Sequence, residues 1–373
     1  MPKEWFTWRA TAVRSMRWNS GLGAALILGC FSPVFAKNPQ STTPLVHKKK
    51  YIMGTVYEIV AYDGSPDRAA EALDNALNEI VRLDGVMSNY KPESDLSRLN
   101  RNGHFHAETV SHDLYEVIRE SVKYSRLSNG QFDITVGPLV DVWKAALRAE
   151  RAASAEELEK LRDCVGYQKI QLLPPEGVEF HSSCMRIDLG SIGKGYAVDR
   201  AADILRSYGI QSALINAGQS TIYGLGAPPG KPGWLVHLRD PSSRVDPQVL
   251  LCDNSVSTSE QTPASLLGND WAGHIIDPQT GQPVKTNVAL SIVAKTGTAS
   301  DALSTTLLLV GPEKGKPIVK SMADAAAIWV TPEGQIEVAS GGPQIVVGRN
   351  ARKNAQMSSG KSSCGSTDRR KTQ

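Results

Sequence analysis

A glycine-rich joint in the middle of the chain constrains the fold more than any other feature of the sequence. It reads Asp188-Leu-Gly-Ser-Ile-Gly-Lys-Gly-Tyr-Ala-Val-Asp199: an acidic residue at the end of a predicted strand, a turn, and the start of a predicted helix. Three glycines, Gly190, Gly193 and Gly195, would let backbone N–H groups approach a ligand, and a helix N-terminus favours negative charge. We therefore expect the joint to bind a phosphate-rich ligand. A tight strand-to-helix connection explains the glycines equally well.

The spacing of the glycines excludes two common nucleotide-binding motifs. The run Gly190-Ser-Ile-Gly-Lys-Gly195 lacks the spacing of a Walker loop and has no Ser or Thr after its lysine. A later pair, Gly224-Leu-Gly226, does not form a dinucleotide fingerprint. The joint therefore indicates phosphate binding without naming a known nucleotide fold.

The chain is long enough to bury a large core. Its 373 residues are 41% hydrophobic and 21% charged, which is typical of globular proteins. The formal net charge of +3 is uneven, because residues 1–36 carry +3 and the tail 349–373 carries +6, which leaves the body at −6. An acidic body argues against nucleic acid as a partner. The tail is rich in Ser, Gly and Asn, and we predict that it is disordered.

The first 36 residues have the pattern of an export signal. Basic residues precede an apolar run from Gly21 to Ala36, whose last three residues fit a small-residue cleavage site. The run is shorter than the roughly 20 residues that span a bilayer, although an uncleaved anchor is an alternative. Cys30 follows Ile27-Leu28-Gly29, and this run resembles a bacterial lipoprotein cleavage site. The other interpretation is that Cys30 is simply one more apolar residue of the signal. We expect a periplasmic protein, with anchoring to the inner membrane as the alternative.

The five cysteines do not form a metal or redox motif. None lies in a CxxC spacing, which argues against a zinc knuckle or a thioredoxin-like pair. Cys164 and Cys184 could pair in an oxidising compartment, while buried thiols remain the default interpretation.

Helix and strand signals interleave without a regular βαβ rhythm. The predicted elements are a strand from Tyr51 to Tyr62, a helix capped by Ser65, a helix after Ser111, a helix with a capping box at Ser154 and Glu157, a helix from Tyr196 to Tyr208, a strand from Ser212 to Asn216, and a hairpin around Thr331-Pro-Glu-Gly334. This pattern favours an α+β fold over a doubly wound sheet. No strong linker divides residues 50–348, so we predict one domain over residues 45–348, with two closely packed lobes as the alternative.

Two further segments carry residues suited to metal and acid–base chemistry. Asp301 and Thr305 are four residues apart near a predicted helix start, and oxygen ligands on one helix face suit Mg²⁺. His274 precedes a predicted turn at Asp277-Pro278 and could act as a base near neutral pH. By spacing alone, a helix-dipole role for Asp301 and a structural role for His274 are the simpler interpretations.

Four more short motifs precede these segments in order along the chain. They are Met53-Gly-Thr55, Met87-Ser-Asn-Tyr90-Lys-Pro, Ser97-Arg-Leu-Asn100 and Phe132-Asp-Ile-Thr-Val-Gly-Pro138. Each is poor evidence alone, but chance does not readily produce the whole ordered series. Together with the three segments above, the series resembles the ApbE-type FAD:protein FMN transferase family from about Tyr51 to Gly311.

The resemblance implies both a fold and a reaction. The fold would be a single ApbE-type, T-fold-like α+β domain with mixed sheets flanked by helices. The reaction would move the FMN half of FAD onto a Thr or Ser hydroxyl of an exported acceptor protein, with release of AMP and a need for Mg²⁺. By similarity, His274 would be the base, and Asp301, Thr305 and the Ser191 carbonyl would hold the metal. The positions that match the family's FAD site are Met53, Tyr90, Phe132, Asp133, Asp188, Lys194 and Ile275.

Two segments depart from the family pattern. Asn216-Ala-Gly-Gln219-Ser220 lacks the usual acidic residue, and Ser257-Thr-Ser259-Glu-Gln-Thr-Pro replaces the usual Ser-Gly with a following aromatic. Two other functions therefore stay open: an FAD pyrophosphatase that yields FMN and AMP, and a non-catalytic FAD-binding or delivery protein.

Overall fold

The computed structural model describes residues 43–342, apart from 262–263 and 266–270. The predicted export signal at 1–36, with Cys30, and the basic tail at 349–373 lie outside the described residues. Within the described part of the chain, no helix combines the length and apolar character needed to cross a bilayer.

Helices and strands alternate irregularly along the described chain. The helices are α1 (Pro66–Met87), α2 (Asp95–Asn102), α3 (His112–Leu127), α4 (Gly137–Arg148), α5 (Ala155–Lys160), α6 (Gly193–Ser207) and α7 (Gly297–Lys320), the last broken at Gly311. The strands are β1 (Leu45–Ile52), β2 (Thr55–Tyr62), β3 (Glu108–Thr109), β4 (Ile170–Leu173), β5 (Gly177–Phe180), β6 (Ala213–Ala217), β7 (Thr221–Leu225), β8 (Trp234–His237), β9 (Gln248–Leu251), β10 (Asn254–Glu260), β11 (Ala264–Ser265), β12 (Trp271–Ala272), β13 (Ala289–Ala294), β14 (Ala326–Val330) and β15 (Ile336–Ser340).

An eight-stranded sheet forms the centre of the fold. Its order is β1-β2-β6-β7-β10-β13-β14-β15, and neighbouring strands run antiparallel. The main hydrophobic core joins the sheet to α1, α6 and α7 through residues such as Leu73, Ile215 and Leu303. A second core contains Trp234 and Leu251 of the β8–β9 hairpin, which cover the other sheet face. This arrangement confirms the predicted α+β class.

Several local signals in the sequence form as predicted. The Ser65 side chain caps α1 by accepting a hydrogen bond from the Arg68 backbone N–H. Ser154 and Glu157 form the predicted capping box of α5. The hairpin around Thr331-Pro-Glu-Gly334 is present as β14 and β15. These elements depend on contacts within a few residues, which is why a sequence pattern can reveal them.

The predicted strand from Tyr51 to Tyr62 is wrong in one respect, because the chain reverses inside it. Met53 and Gly54 both have positive φ, 50° and 76°, and join β1 to β2 as a two-residue hairpin turn. Positive φ at both central residues is what a tight hairpin requires. Met53 therefore lies at a turn instead of within a strand.

Two other predicted boundaries also differ. The segment before Asp188 is not a regular strand, and its pairing is a single parallel bridge between Arg186 and Val136. Helix α7 begins at Gly297, four residues before Asp301, because the Thr296 hydroxyl caps it by accepting from the Ala299 N–H. Asp301 thus lies one turn inside the helix, beyond the first turn where a helix-dipole role would apply.

A disulfide joins Cys164 to Cys184. It links the segment after α5 to the segment that leads into Asp188. Soon after Cys164, the backbone N–H of Tyr167 donates to Asp133 Oδ2 at 2.8 Å. The disulfide therefore ties together two regions that carry predicted site residues.

Candidate active site

The glycine-rich joint meets helix α7 at the Asp301 carboxylate. The Gly195 N–H on α6 donates to Asp301 Oδ2 at 2.9 Å, and the Thr221 hydroxyl on β7 bonds to the same carboxylate. The side chain of Asp301 is almost fully buried. Burial raises the pKa of Asp301 above its ordinary value, and the charge of Lys194 and the two hydrogen bonds oppose that rise. A buried carboxylate of this kind is suited to a cation.

Gly195 allows helices α6 and α7 to pack closely. The sequence had led us to expect that all three glycines make room for a ligand. A Cβ at this position would lie 2.2 Å from the Gly297 carbonyl oxygen and 2.7 Å from the Asp301 Cβ. Gly193 is less confined, because its nearest atoms would be 3.8 Å away or farther. Gly190 is exposed in the turn before α6, where its N–H donates to Asp188 and its carbonyl accepts from Lys194. At position 195 the glycine therefore allows close contact between α6 and α7, which neither interpretation of the sequence predicted.

This contact predicts unequal effects of two alanine substitutions in the same helix. Gly195→Ala should lower the free energy of unfolding by about 1–3 kcal/mol, because the added methyl group forces α6 and α7 apart. Gly193→Ala is the matched control and should change it by less than about 0.5 kcal/mol. Urea denaturation of both variants measures the difference, and equal losses would contradict the packing role.

Asp199 attaches the other end of the joint to α7. Its carboxylate accepts from the Gly297 N–H at 2.6 Å, the Thr298 N–H at 2.8 Å and the Thr298 hydroxyl at 2.6 Å. These N–H groups belong to the first turn of α7, where a helix lacks internal acceptors. The sequence marked Asp199 only as the end of the joint, and the structure shows that it orients the helix carrying Asp301 and Thr305.

Alternate residues of β10 face the same helix. Ser257 Oγ donates to Thr221 Oγ1 at 3.0 Å and lies 2.7 Å from Ser300 Oγ. Two residues on, Ser259 Oγ lies 3.2 Å from Thr305 Oγ1. Because side chains alternate along a strand, one face of β10 makes these contacts. The segment that departs from the family pattern therefore supports the predicted metal ligands.

Lys194 connects Asp301 electrostatically to His274. The lysine Nζ donates to the Gly190 carbonyl at 3.1 Å, and its charge acts on both side chains. His274 is exposed to solvent. Nearby protein atoms remove part of the water around the imidazole and lower the pKa of His274, and the positive charge of Lys194 lowers it further. His274 is therefore neutral, and able to accept a proton, at neutral pH.

Asp188 is held at the turn by its own neighbours. Its Oδ1 accepts from the Gly190 N–H at 2.8 Å, and its backbone N–H donates to the Ile134 carbonyl at 2.7 Å. The buried amide of Asn100 accepts from the Ile187 N–H at 2.8 Å and donates to the Ile187 carbonyl at 3.0 Å. Asn100 therefore positions the peptide before Asp188, a role that its motif alone did not disclose.

Tyr90 presents an exposed aromatic ring beside the same network. Tyr90 is 80% exposed. The residue before it, Asn89, accepts a hydrogen bond from Asn100 Nδ2 at 3.0 Å. Lys144 on α4 lies 5.2 Å from the ring centroid and donates to the Tyr90 hydroxyl at 2.9 Å. An open ring of this kind can stack on a flat ligand. Lys144 gave no signal in the sequence.

Three of the other predicted FAD contacts are largely buried. The Phe132 ring packs edge-on against Tyr124, with centroids 6.2 Å apart, and Ile275 belongs to the main core. Asp133 Oδ1 accepts from the N–H and the hydroxyl of Thr135, and its Oδ2 accepts from Tyr167. Asp133 therefore holds nearby backbone in place, while Phe132 and Ile275 pack in the core.

Met53 is placed near Asp301 by the β1–β2 turn. The buried Tyr57 hydroxyl donates to Met53 Sδ at 3.4 Å. Burial raises the pKa of Tyr57, and the negative charge of Asp301 raises it further. The hairpin that the sequence did not predict therefore brings the predicted FAD contact Met53 to the same region as the carboxylate.

A cavity of about 420 Å³ opens beside Asp133. It is bordered by Tyr167 and by the turn of residues 278–282, which follows the His274 segment. Gln131 Nε2 donates to Asp277 Oδ1 at 2.8 Å and joins the two loops. The cavity shows that open space exists next to the loops that carry predicted site residues.

The oxygen atoms of Asp301 and Thr305 are of the chemical type that Mg²⁺ binds. The two residues lie one helical turn apart on α7, and Ser191 lies in the turn just before Lys194. In the described residues, no group of three or more His, Cys, Asp or Glu side chains is placed to hold a metal ion.

Known proteins share both the sequence and the fold of this chain. It is 28% identical to the FAD:protein FMN transferase of Klebsiella pneumoniae strain 342, with 84% of this chain and 92% of that protein covered. The protein of that name from Vibrio cholerae is 29% identical, with 82% and 90% covered. The solved apo structure of Pseudomonas stutzeri flavinyl transferase ApbE superposes with a TM-score of 0.70 at 26% identity, covering 80% of this chain and 97% of the other.

The match also holds at the level of the family. The family model described as the ApbE family matches residues 53–329, which include the joint, His274 and helix α7. That span runs from the β1–β2 turn to β14 and contains every residue assigned to the site above. The chain is therefore a member of the ApbE family.

Proposed function

We propose that this protein is an exported, Mg²⁺-dependent transferase that moves the FMN half of FAD onto a Thr or Ser hydroxyl of an acceptor protein. The observation that carries the proposal is the contact of the glycine-rich joint with α7, where the Gly195 N–H donates to the buried Asp301 carboxylate at 2.9 Å. Lys194 of the same joint carries the positive charge that acts on both Asp301 and His274. The names of the curated relatives and of the solved neighbours support the same reaction.

His274 would act as the general base. The acceptor hydroxyl gives its proton to the imidazole, and its oxygen attacks the phosphorus of the FMN half. The bond from that phosphorus to the bridging oxygen breaks, and AMP leaves with the bond's electron pair. A neutral imidazole is required for this step, and the lowered pKa of His274 supplies it at neutral pH.

The remaining predicted residues would bind and orient FAD. The charge of Lys194 in the glycine-rich joint would meet the diphosphate, and the exposed ring of Tyr90 would stack on the isoalloxazine. Asp301, Thr305 and the Ser191 carbonyl would hold Mg²⁺. When bound, the ion would neutralise negative charge that develops on the phosphate oxygens.

Two features support export to the periplasm. Residues 1–36 carry the charge and hydropathy pattern of a signal peptide. The Cys164–Cys184 disulfide suits an oxidising compartment. Anchoring to the inner membrane through an uncleaved signal or a lipid on Cys30 belongs to the same proposal.

Mass spectrometry of an acceptor tests the reaction directly. The protein is incubated with FAD, Mg²⁺ and a co-encoded partner that carries a flavinylation motif. We expect the partner to gain the mass of FMN and covalent flavin fluorescence. Free FMN and AMP without labelled partner would instead indicate an FAD pyrophosphatase, and bound, intact FAD at saturating Mg²⁺ would indicate a delivery protein.

The pH dependence of transfer should report the pKa of His274. The base works when neutral, so the rate falls as pH drops through that pKa, which lies below the ordinary value of about 6.5. Lys194→Met removes a positive charge and should move this acid limb to higher pH. The measurement is kcat against pH at saturating FAD, with Lys123→Met, an exposed lysine on α3, as the control. A limb that stays in place or moves to lower pH would contradict the electrostatic link.

A further inference from the structure

Gln261 places a buried amide directly against the backbone of His274. Its side chain is 1% exposed and follows the last residue of β10. The Gln261 Oε1 accepts from the backbone N–H groups of His274 and Ile275, both at 3.1 Å. Its Nε2 donates to the Ile275 carbonyl at 3.1 Å. One side chain thus satisfies three backbone groups of the segment that carries the predicted base.

These contacts add to the backbone bonds of this segment, where the Ile275 carbonyl also accepts from the Val284 N–H at 2.9 Å. The His274–Ile275 segment lies outside the named strands, and buried backbone groups need partners. The Gln261 amide offers an acceptor and a donor in the orientation that a peptide group would have. Alanine would leave the N–H groups of His274 and Ile275 without this partner, and asparagine, one methylene shorter, would keep only part of the contacts.

The same face of β10 also orients the helix with the metal ligands. Ser257 and Ser259 are alternate residues of β10, so their side chains leave the strand on one side. Ser257 contacts Thr221 and Ser300, and Ser259 contacts Thr305. Just past the end of the strand, the Gln261 side chain contacts the His274 backbone. One short segment, residues 257–261, therefore contacts both helix α7 and the residue proposed as the base.

We infer that Gln261 is a positioning residue for the transfer reaction, and that its amide fixes the imidazole of His274 relative to Asp301. The inference rests on the proposed function, because it assumes that His274 acts as the base. Gln261 lies in the segment that departs from the family pattern, and its buried amide gives that segment a role in this chain. It touches the backbone of the base and acts on the reaction through it.

A double-mutant cycle with His274 separates positioning from general stability. We expect Gln261→Ala to lower kcat at saturating FAD and acceptor by about 100-fold, which is the size of loss that a small misplacement of a reacting group produces. In a His274→Ala background the same substitution should lower kcat by less than about 3-fold. A residue that acts only through His274 has nothing left to position once the imidazole is gone.

Gln261→Asn serves if the alanine variant does not fold. It keeps a carboxamide and should show the same non-additivity with a smaller loss. Gln171→Ala is the matched control, because Gln171 Oε1 contacts the ring of His181, an exposed histidine, at 2.7 Å on β4. That variant should keep the kcat of the parent protein.

The two ways of failing are distinguishable. If His274→Ala alone leaves kcat unchanged, the proposed base is wrong. If His274→Ala lowers kcat and Gln261→Ala still lowers it by the same factor in that background, the proposed function stands and the positioning role is overturned. Full activity of both Gln261 variants in the parent protein would overturn the positioning role as well.

Discussion

Asp301→Asn is expected to lower Mg²⁺-dependent transfer by about 100-fold or more while leaving the protein folded. Asparagine has the same shape and still offers an oxygen to the Gly195 N–H. It lacks the negative charge that would hold a divalent cation against the FAD diphosphate. The measurement is kcat/KM as a function of Mg²⁺ concentration, with calorimetric titration of Mg²⁺ in the presence of FAD.

The Asp301→Asn substitution should not lower the free energy of unfolding, although it lowers activity. Burial raises the pKa of Asp301 in the folded protein above its value in the unfolded chain. The charged carboxylate therefore lowers the free energy of unfolding at every pH above the unfolded pKa, and so at neutral pH. The substituted amide carries no such charge, so without Mg²⁺ the Asp301→Asn protein should be at least as stable as the parent. Mg²⁺ with FAD should raise the melting temperature of the parent and have little effect on the variant.

An exposed aspartate provides the control for this experiment. Asp203 on α6 pairs with Arg200 and Arg206 at the surface, and Asp203→Asn should change neither activity nor the Mg²⁺ response. An Asp301→Asn protein that keeps full activity with an unchanged Mg²⁺ dependence would remove the metal role from helix α7.

His274→Ala is expected to slow transfer by about 10²- to 10⁴-fold, the usual contribution of a general base. The imidazole is exposed on one side, and the backbone of this segment is held by Gln261, so the fold should not change. Affinity for FAD and dependence on Mg²⁺ should remain close to those of the parent. Single-turnover transfer and fluorescence titration of FAD measure the two quantities separately.

Chemical rescue and a second histidine sharpen this prediction. Added imidazole should restore part of the lost rate, because it can accept the proton in place of the missing ring. His112→Ala, on the exposed face of α3 beside Glu176, should behave as the parent protein. Loss of FAD affinity in proportion to the loss of rate would instead make His274 a ligand contact.

The two segments that depart from the family pattern, at the described residues 257–261 and 216–220, have different surroundings in the structure. At β10, the structure gives Ser259 and Gln261 defined partners on α7 and at His274. At the other departure, Gln219 has a positive φ of 65°, and its backbone N–H donates to Asn216 Oδ1. The sequence marked both as departures, and only the first acquires a role near the proposed chemistry.

Local elements were predictable because their causes are short-range. The Ser65 cap and the α5 capping box each depend on residues within one helical turn. The α+β class followed from the irregular order of strands and helices. The turn at Met53 was missed because the residues on both sides of it have the same strand propensity, and a methionine with positive φ gives no sequence signal.

The sequence by itself determined the caps, the amphipathic helices, the α+β class, and the order of motifs that includes His274, Lys194 and Asp301. Only the tertiary structure decided how these residues meet. Gly195 and Asp301 are 106 residues apart in the sequence, and Gln261 and His274 are 13 apart. Neither contact follows from the hydrophobic period of a single helix or strand. Such contacts depend on how whole elements pack against the sheet. Residue propensity and motif spacing give information only about neighbours along the chain. They do not predict which distant glycine, serine or amide will contact a given helix or loop.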